Sequence, residues 1–185
     1  MALTPSTMLE LGTPAPPFTL SDVTRGVTVS LGDFVDKSAL LVMFICRHCP
    51  FVKHLQLDLA RLGKEYVNSA LAIVAISSND ALNYPQDAPA SLREMAQELG
   101  FTFPLLYDES QTVAQAYRAA CTPDFFLFDG DRRLVYRGQW DDSRPGNDIP
   151  VTGADIRQAI TALLAGEKIN QVQKPSIGCN IKWKN

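Results

Sequence analysis

Two continuous apolar runs, residues 40–45 and 71–76, stand out from the mixed pattern of the rest of the chain. A strand that is apolar at every position has both faces covered, so each run predicts a buried central strand. Between them, apolar residues recur every three or four positions from Val52 to Tyr66, with polar residues in the intervening positions. This spacing predicts an amphipathic helix of about four turns.

The remaining pattern predicts an α/β layered domain in which helices cover both faces of a sheet that carries an N-terminal β-hairpin. The predicted elements are a hairpin over residues 18–31, helices near residues 90–99, 111–119 and 156–164, a short strand near 101–106, and a hairpin with strands 125–128 and 134–136. We expect one domain over residues 1–185, divided into an N-terminal extension and hairpin (1–36), a core (37–165) and an irregular tail (166–185). Right-handed crossovers would bring residue 46 and the polar loop 77–80 to one edge of the sheet.

Composition narrows the possible partners. The chain has 185 residues, a net charge of −3 and scattered Lys and Arg residues, so we expect neither a nucleic-acid nor a membrane partner. The first residues contain no basic and apolar signal, and we therefore expect a cytoplasmic protein. Four cysteines are too few for a disulfide scaffold at this length. In a reducing compartment such cysteines are catalytic, metal-binding or buried.

The main candidate for chemistry is Cys46-Arg47-His48-Cys49, which directly follows a predicted buried strand and precedes a predicted helix. The N–H groups at a helix N-terminus favour a thiolate, and Arg47 and His48 add positive charge. We expect the thiolate at Cys46, with its pKa lowered from ~8.5 to between ~4 and ~7. A histidine directly before Cys49 would stabilise the reduced form and make the disulfide a stronger oxidant.

Two other interpretations of the four-residue motif stay open. The cysteines are a pair of buried structural thiols, or they hold zinc. A zinc site needs two more ligands, which His54, Cys121 and Cys179 could supply. His54 taken alone is typical of a solvated helix residue.

A second feature is Cys121-Thr122-Pro123, directly before the predicted strand 125–128. A proline that opens a central strand cannot donate to the ladder, and a cis Thr122–Pro123 bond in a tight loop would explain its presence. Cys121 then either lies close to Cys46 or is a small buried hydrophobe. Cys179 either folds back toward the redox edge or packs structurally.

Together these features resemble the thioredoxin superfamily, and more closely its peroxiredoxin-like branch, which includes alkyl hydroperoxide reductase and thiol-specific antioxidant proteins. The resemblance implies a thioredoxin-like fold with a layered sheet like that of peroxiredoxins and glutathione peroxidases. The matching segments are residues 12–20, 44–54, 77–80, 121–126 and 177–179.

The resemblance also implies roles for the site residues. Cys46 would attack a disulfide, Cys49 would resolve the mixed disulfide, and a cis Pro123 would lie beside them. Thr122 would offer its backbone to an extended substrate by strand addition. No bound cofactor is implied. The partners would be a protein or small-molecule disulfide and an external thiol that donates electrons.

The sequence departs from both relatives. Thioredoxins carry Trp directly before the first cysteine and an acidic residue six positions before it, where this chain has Ile45 and Leu40. The usual buried acid is therefore missing from its expected position.

Peroxiredoxins place Thr or Ser three residues before the reactive Cys-Pro and an Arg before the later strand. Cys49 matches the reactive cysteine, but Cys46 takes the hydroxyl position and Pro123 lies at or next to the Arg position. Arg47 and Arg118 are the candidates to replace that positive charge.

We therefore predict a thiol–disulfide oxidoreductase that uses the Cys46–Cys49 pair. The alternative is a peroxiredoxin-like thiol peroxidase in which Cys46 or Cys49 is oxidised to a sulfenic acid. A redox-silent binding or metal module on the same fold is a further alternative.

Overall fold

The computed structural model describes residues 3–184, which form ten strands and four α-helices. The strands are β1 (Leu3–Pro5), β2 (Thr19–Asp22), β3 (Thr28–Ser30), β4 (Ala39–Phe44), β5 (Leu71–Ser77), β6 (Leu105–Tyr107), β7 (Cys121–Thr122), β8 (Asp124–Asp129), β9 (Leu134–Gly138) and β10 (Ile177–Asn180). The helices are α1 (Pro50–Tyr66), α2 (Pro89–Leu99), α3 (Thr112–Ala116) and α4 (Ala154–Leu164).

Seven strands form the main sheet in the order β3-β2-β6-β5-β4-β8-β9. The two apolar runs lie side by side at its centre, where β4 and β5 pair in parallel with Val42 opposite Val74. On its other side β4 pairs antiparallel with β8. Every residue of β4 and β5 is buried, as expected for strands covered on both faces.

Alternate side chains of β4 enter two separate apolar layers. Leu41 and Met43 pack in the layer that contains α1, α2 and α4. Leu40 and Val42 pack in the opposite layer, which contains α3. This three-layer arrangement confirms the predicted α/β fold with helices on both faces, and it brings the carboxyl end of β4 to the sheet edge where residue 46 begins.

Two elements are shorter than predicted. Strand β6 begins at Leu105 because Pro104 has no N–H to contribute to the ladder. Helix α3 ends at Ala116, two residues before Arg118 adopts a positive φ of 51°.

The prediction of an irregular tail is wrong for residues 177–180. Strand β10 lies between β1 and β7 in a second, three-stranded sheet, with Cys179 opposite both Leu3 and Thr122. Ile181, directly after β10, is buried in the α3 layer. A short strand that contains Gly, Cys and Asn has little intrinsic strand preference, so tertiary pairing decides its conformation.

In the described part of the chain, no helix combines the length and the apolar character that crossing a bilayer requires.

Candidate active site

The motif cysteines lie between the end of a buried strand and the start of a helix. Strand β4 ends at Phe44, and α1 begins with Pro50 at its first position, where a proline lacks only an N–H that would have no partner. Cys49 is the N-cap residue of α1, and Cys46 lies in the connection before it. Both side chains are fully buried.

Thr122 contacts the sulfur atoms of both Cys46 and Cys49. Its hydroxyl oxygen lies 3.3 Å from Cys46 Sγ, and its carbonyl oxygen lies 3.1 Å from Cys49 Sγ. The Thr122–Pro123 peptide bond is cis, as predicted. Cys46, Cys49, Thr122 and Pro123 therefore come together at one edge of the main sheet.

The tail brings a third sulfur to the site. Cys179 Sγ lies 2.9 Å from Cys49 Sγ, and the Cys179 side chain is buried. The sequence left open whether Cys179 packs structurally or folds back toward the motif. In the structure the tail folds back to the sheet edge where the motif cysteines lie.

The surroundings of Cys49 favour its thiolate and hold its pKa at about 5. The largest contribution comes from the Cys46 thiol, which donates toward the Cys49 sulfur and outweighs burial. The Cys179 thiol and the backbone N–H groups of Val52 and Cys179 lower the pKa further, although the Val52 N–H lies outside the geometry of a full capping hydrogen bond. The Thr122 carbonyl is the opposing acceptor, since it favours a protonated Cys49.

The pKa of Cys46 is instead raised well above its ordinary value. Its interaction with Cys49 contributes most, because Cys46 keeps the proton it donates; burial and the negative charge of Asp87 add to this effect. The expectation of a lowered pKa at Cys46 is therefore wrong. The physical reason is the interaction between the two thiols, in which Cys46 keeps the proton and Cys49 carries the negative charge.

A buried carboxylate that the sequence analysis missed organises the Cys46 side. Asp87 accepts hydrogen bonds from the backbone N–H groups of Arg47 (2.8 Å) and His48 (3.2 Å). It also pairs with His48 Nδ1 at 2.5 Å and with the Asn79 amide at 2.8 Å. Burial alone would raise the pKa of Asp87, but the hydrogen bonds from His48 and Asn79 keep it below its usual value.

The same group fixes the His48 ring near Cys46. A His48 ring nitrogen, an Asp87 carboxylate oxygen and Cys46 Sγ all lie within 4.8 Å of one another. The ring stacks on Tyr84 with centroids 5.4 Å apart. Asn79 belongs to the polar loop 77–80 that the sequence predicted at this edge, where polarity was the only indication of a role. The sequence positions of Asp87 and Tyr84 did not indicate that they lie near the cysteines.

Arg47 does not supply positive charge to the sulfurs. Its guanidinium extends to α2, where it donates to the Ser91 carbonyl and the Glu94 carboxylate, each at 2.7 Å, and approaches Glu98 at 3.4 Å. These acceptors hold the side chain away from the cysteines, so Arg47 contributes to the site only through its backbone N–H, which donates to Asp87. Arg118 is exposed. Among residues 3–184, neither arginine contacts a motif sulfur.

The strand-addition edge predicted at Thr122 is already occupied. Thr122 and Cys121 pair with Cys179 and Asn180 of β10 in the second sheet. An extended substrate therefore meets this chain's own tail where a free backbone edge was expected.

Cys121 directly precedes Thr122 in β7. It is buried, its sulfur lies 3.5 Å from the Pro123 carbonyl oxygen, and burial raises its pKa. Its neighbours include the fully buried ion pair between Asp124 and Arg137. The contacts described for Cys121 do not include Cys46, so the interpretation as a small buried hydrophobe fits its surroundings.

Cys46, His48 and Asp87 each offer an atom that could bind a metal. The Asp87 oxygens, however, already accept four hydrogen bonds from the protein. His54, which the sequence offered as a zinc ligand, pairs with Ser143 at 2.7 Å.

Similarity to known proteins identifies the family of the chain. The sequence profile of the AhpC/TSA family matches residues 11–137. The chain belongs to the AhpC/TSA family. It is therefore a peroxiredoxin-like member of the thioredoxin superfamily with a thioredoxin-like redox role. A comparison with curated proteins gave no significant match.

Solved structures resemble all or most of the chain. An uncharacterized conserved protein from Geobacillus kaustophilus is 55% identical, with a TM-score of 0.97, and the alignment covers 100% of this chain and 97% of that one. The thioredoxin domain of a thiol-disulfide oxidoreductase from Bacteroides vulgatus is 21% identical (TM-score 0.59; 71% and 91% covered). Peroxidoxin BcpB from Mycobacterium tuberculosis is 19% identical (TM-score 0.62; 85% and 98% covered). The last two similarities show the shared fold.

Proposed function

We propose that this AhpC/TSA family member is a thiol–disulfide oxidoreductase in which Cys49 attacks and Cys46 resolves. The observation that carries the proposal is the opposite electrostatic setting of two neighbouring sulfurs. The pKa of Cys49 is about 5, so its thiolate is present at neutral pH, while the interaction with Cys49 raises the pKa of Cys46 and keeps it protonated. A nucleophile paired with a protonated partner is the arrangement that disulfide exchange requires.

The reaction begins when the Cys49 thiolate attacks one sulfur of a substrate disulfide. A bond forms between Cys49 and that sulfur, the substrate S–S bond breaks, and the departing thiolate takes a proton from solvent. Cys46 then attacks Cys49 Sγ, a Cys46–Cys49 disulfide forms and the second substrate thiol leaves. The two cysteines have lost two electrons and the substrate has gained them.

The Asp87–His48 pair is the acceptor for the proton that Cys46 loses. Asp87 fixes His48 Nδ1 by a 2.5 Å hydrogen bond, and both groups lie within 4.8 Å of Cys46 Sγ. A neutral ring that donates from Nδ1 to Asp87 has its other nitrogen free to accept. This pair would take over the role of the acidic residue that thioredoxins carry six positions before their first cysteine. An external thiol would return the disulfide to the dithiol form.

The second candidate function is a thiol peroxidase. The observation that favours it is Cys49 itself, the N-cap residue of α1, which is followed by proline and has a pKa of about 5, in a member of the AhpC/TSA family. A dedicated peroxidase also needs donors fixed on the peroxide oxygens. Arg47 is held on α2, and Thr122 Oγ1 lies beside Cys46. We therefore rank peroxidase activity second.

Insulin-disulfide reduction and hydrogen peroxide consumption, measured on the same preparation, test the proposal. The wild type should reduce insulin, Cys49→Ser should abolish turnover because it lacks the attacking sulfur, and Cys46→Ser should slow turnover because it lacks the resolving thiol. Cys121→Ser is the matched control, since it changes a buried cysteine that makes no described contact with either motif sulfur, and it should keep activity.

Stopped-flow oxidation of the reduced protein by hydrogen peroxide separates the two functions. We expect rate constants close to those of an ordinary low-pKa thiolate. Rate constants thousands-fold higher, with insulin reduction absent, would replace the oxidoreductase by the peroxidase.

A further inference from the structure

The C-terminal strand lies where a disulfide substrate would bind. Strand β10 pairs with β7 along the Thr122 edge and places Cys179 directly opposite Thr122. In the strand-addition mode of recognition, a peptide adds to a free strand edge and presents its side chains to the site. Here the added strand belongs to the same chain, and the side chain it presents next to Cys49 is a cysteine thiol.

The tail is fitted closely to this edge. Gly178 has no room for a side chain, because a Cβ atom there would overlap the Thr122 carbonyl oxygen and lie 2.6 Å from the Thr122 carbonyl carbon. On one side of Gly178, Ser176 donates to the Pro123 carbonyl at 2.8 Å. On the other side, the Lys182 backbone bonds to Asn79 at 2.8 Å. These anchors hold the tail strand at both ends, with its cysteine between them.

Resting on the proposed function, we propose that Cys179 is a third redox cysteine, an internal substrate thiol that forms a disulfide with Cys49. The two Sγ atoms are 2.9 Å apart, so a bond of about 2.05 Å needs a movement of less than about 1 Å. The Cys49 sulfur interacts with the thiols of both Cys46 and Cys179, which makes these two cysteines alternative partners for the same atom.

The step is an intramolecular thiol–disulfide exchange and needs no additional oxidant. Cys179 attacks Cys49 Sγ while Cys49 is bonded to Cys46 or to a substrate sulfur. The Cys49–Cys179 bond forms, the earlier bond to Cys49 breaks, and the displaced thiolate takes the proton that Cys179 loses. The substrate disulfide that first oxidised Cys49 has supplied the oxidising equivalents. The oxidation thereby moves from the motif to the tail strand.

Disulfide mapping in Cys46→Ser tests this transfer of the disulfide bond to Cys179, which we call the relay. The reduced variant is treated with glutathione disulfide, quenched with acid, alkylated and analysed by mass spectrometry. We expect Cys49–Cys179 as the main oxidised form. A stable glutathione adduct on Cys49 beside an alkylated, free Cys179 would overturn the relay.

Cys179→Ser, treated in parallel, separates the relay from the proposed function. We expect this variant to form the Cys46–Cys49 disulfide. If it instead keeps a stable glutathione adduct on Cys49, Cys46 does not resolve, and the proposed function fails whatever Cys46→Ser shows.

Gly178→Ala in the otherwise unchanged chain is the second variant, with far-UV circular dichroism to verify folding. The added methyl group would displace the tail strand, and a disulfide held away from its preferred geometry is strained and more easily reduced. We expect the share of Cys49–Cys179 in a glutathione redox buffer to fall roughly tenfold or more relative to wild type. An unchanged share would contradict the fitted position of the tail.

Discussion

The two motif cysteines, three positions apart in the sequence, lie in contrasting parts of one site. Around Cys49, the helix start, two thiols and the tail strand converge on one sulfur, and the pKa of that sulfur is lowered to about 5. Around Cys46, the nearby charged group is the Asp87 carboxylate, which adds to the rise of the Cys46 pKa. One side of the site therefore stabilises a negative charge, and the other side stabilises a proton.

The difference teaches that the partners of a cysteine, together with its distance from the helix start, matter more than its order in the motif. Cys49 is the N-cap residue of α1, whereas Cys46 lies three positions before it. The helix dipole acts within about one turn, so it favours the nearer sulfur. The four experiments that follow test this contrast, from the largest expected effect to the smallest.

Trapping of a substrate adduct should distinguish the two cysteines completely. Cys46→Ser keeps the attacking sulfur, so it should form a mixed disulfide on Cys49, which either accumulates or is converted into the Cys49–Cys179 disulfide. Cys49→Ser lacks the attacking sulfur and should form no adduct at neutral pH. Mass spectrometry after incubation with insulin or glutathione disulfide measures this. An adduct on Cys46 in Cys49→Ser at a wild-type rate would reverse the assignment.

Removing the Asp87 charge should slow the resolving step. Asp87→Asn leaves the His48 ring without its carboxylate partner, and a positioned base contributes on the order of 10²–10⁴ to a proton-transfer step. The loss of a negative charge also lowers the Cys46 pKa and offsets part of this effect, so we expect the mixed disulfide to persist roughly tenfold longer at neutral pH.

Quenched-flow analysis of the adduct gives this lifetime. Glu94→Gln is the matched control, since it neutralises a carboxylate that pairs with Arg47 on the surface and should leave the lifetime unchanged. A merely structural role for Asp87 would leave the pH profile of resolution unchanged, whereas loss of a base makes the variant's rate depend more steeply on pH.

The contrast between the sulfurs also predicts how the stability of the reduced protein varies with pH. The native pKa of Cys49 is about 5, against ~8.5 in an unfolded chain, so between these values the unfolded state binds the additional proton. The free energy of unfolding should therefore rise as the pH increases from 5 toward about 8. Above that range it should fall, because Cys46, whose pKa is raised, and Cys179, whose pKa is about 12, retain protons that the unfolded chain loses.

Denaturant unfolding of the reduced protein across this range measures the profile. Cys49→Ser should lose the rise between pH 5 and 8, whereas Cys121→Ser should keep it. A rise that survives in Cys49→Ser would assign the effect to another group.

The smallest effect is expected at His48. The sequence suggested that this imidazole stabilises the thiolate directly, but the structure pairs it with Asp87 at 2.5 Å, and a neutral ring that donates to this carboxylate adds no positive charge beside the thiolate. His48→Gln should therefore shift the potential of the Cys46–Cys49 disulfide by less than ~30 mV, which corresponds to ~1.4 kcal/mol. Equilibration with glutathione buffers measures the shift, and a larger one would mean that His48 acts on the sulfur as a net charge.

The main sheet could be predicted because its pattern is local. The runs 40–45 and 71–76 are apolar at every position, and the helix from Val52 to Tyr66 keeps a regular period, so each element is determined by its own residues. The cysteine motif and the cis-proline were recognisable for the same reason, since each occupies consecutive positions.

The rest of the site depends on contacts between distant segments. Cys179 reaches Cys49 across 130 positions, and Asp87 reaches His48 across 39. Strand β10 has little intrinsic preference and exists because β1 and β7 pair with it. The direction of the Arg47 side chain depends on carboxylates of α2 that the sequence did not relate to the motif. Such pairings leave no periodic signal in a single sequence.

The most direct test of the central claim is an ultraviolet titration of the thiolate in the reduced protein. The account predicts one thiolate at pH 7 that is protonated as the pH falls, with a midpoint near 5. This transition should disappear in Cys49→Ser and remain in Cys121→Ser. In Cys46→Ser the thiolate should remain, with a higher midpoint because the donated thiol proton is lost. A transition that persists in Cys49→Ser and vanishes in Cys46→Ser would contradict the account and make Cys46 the thiolate.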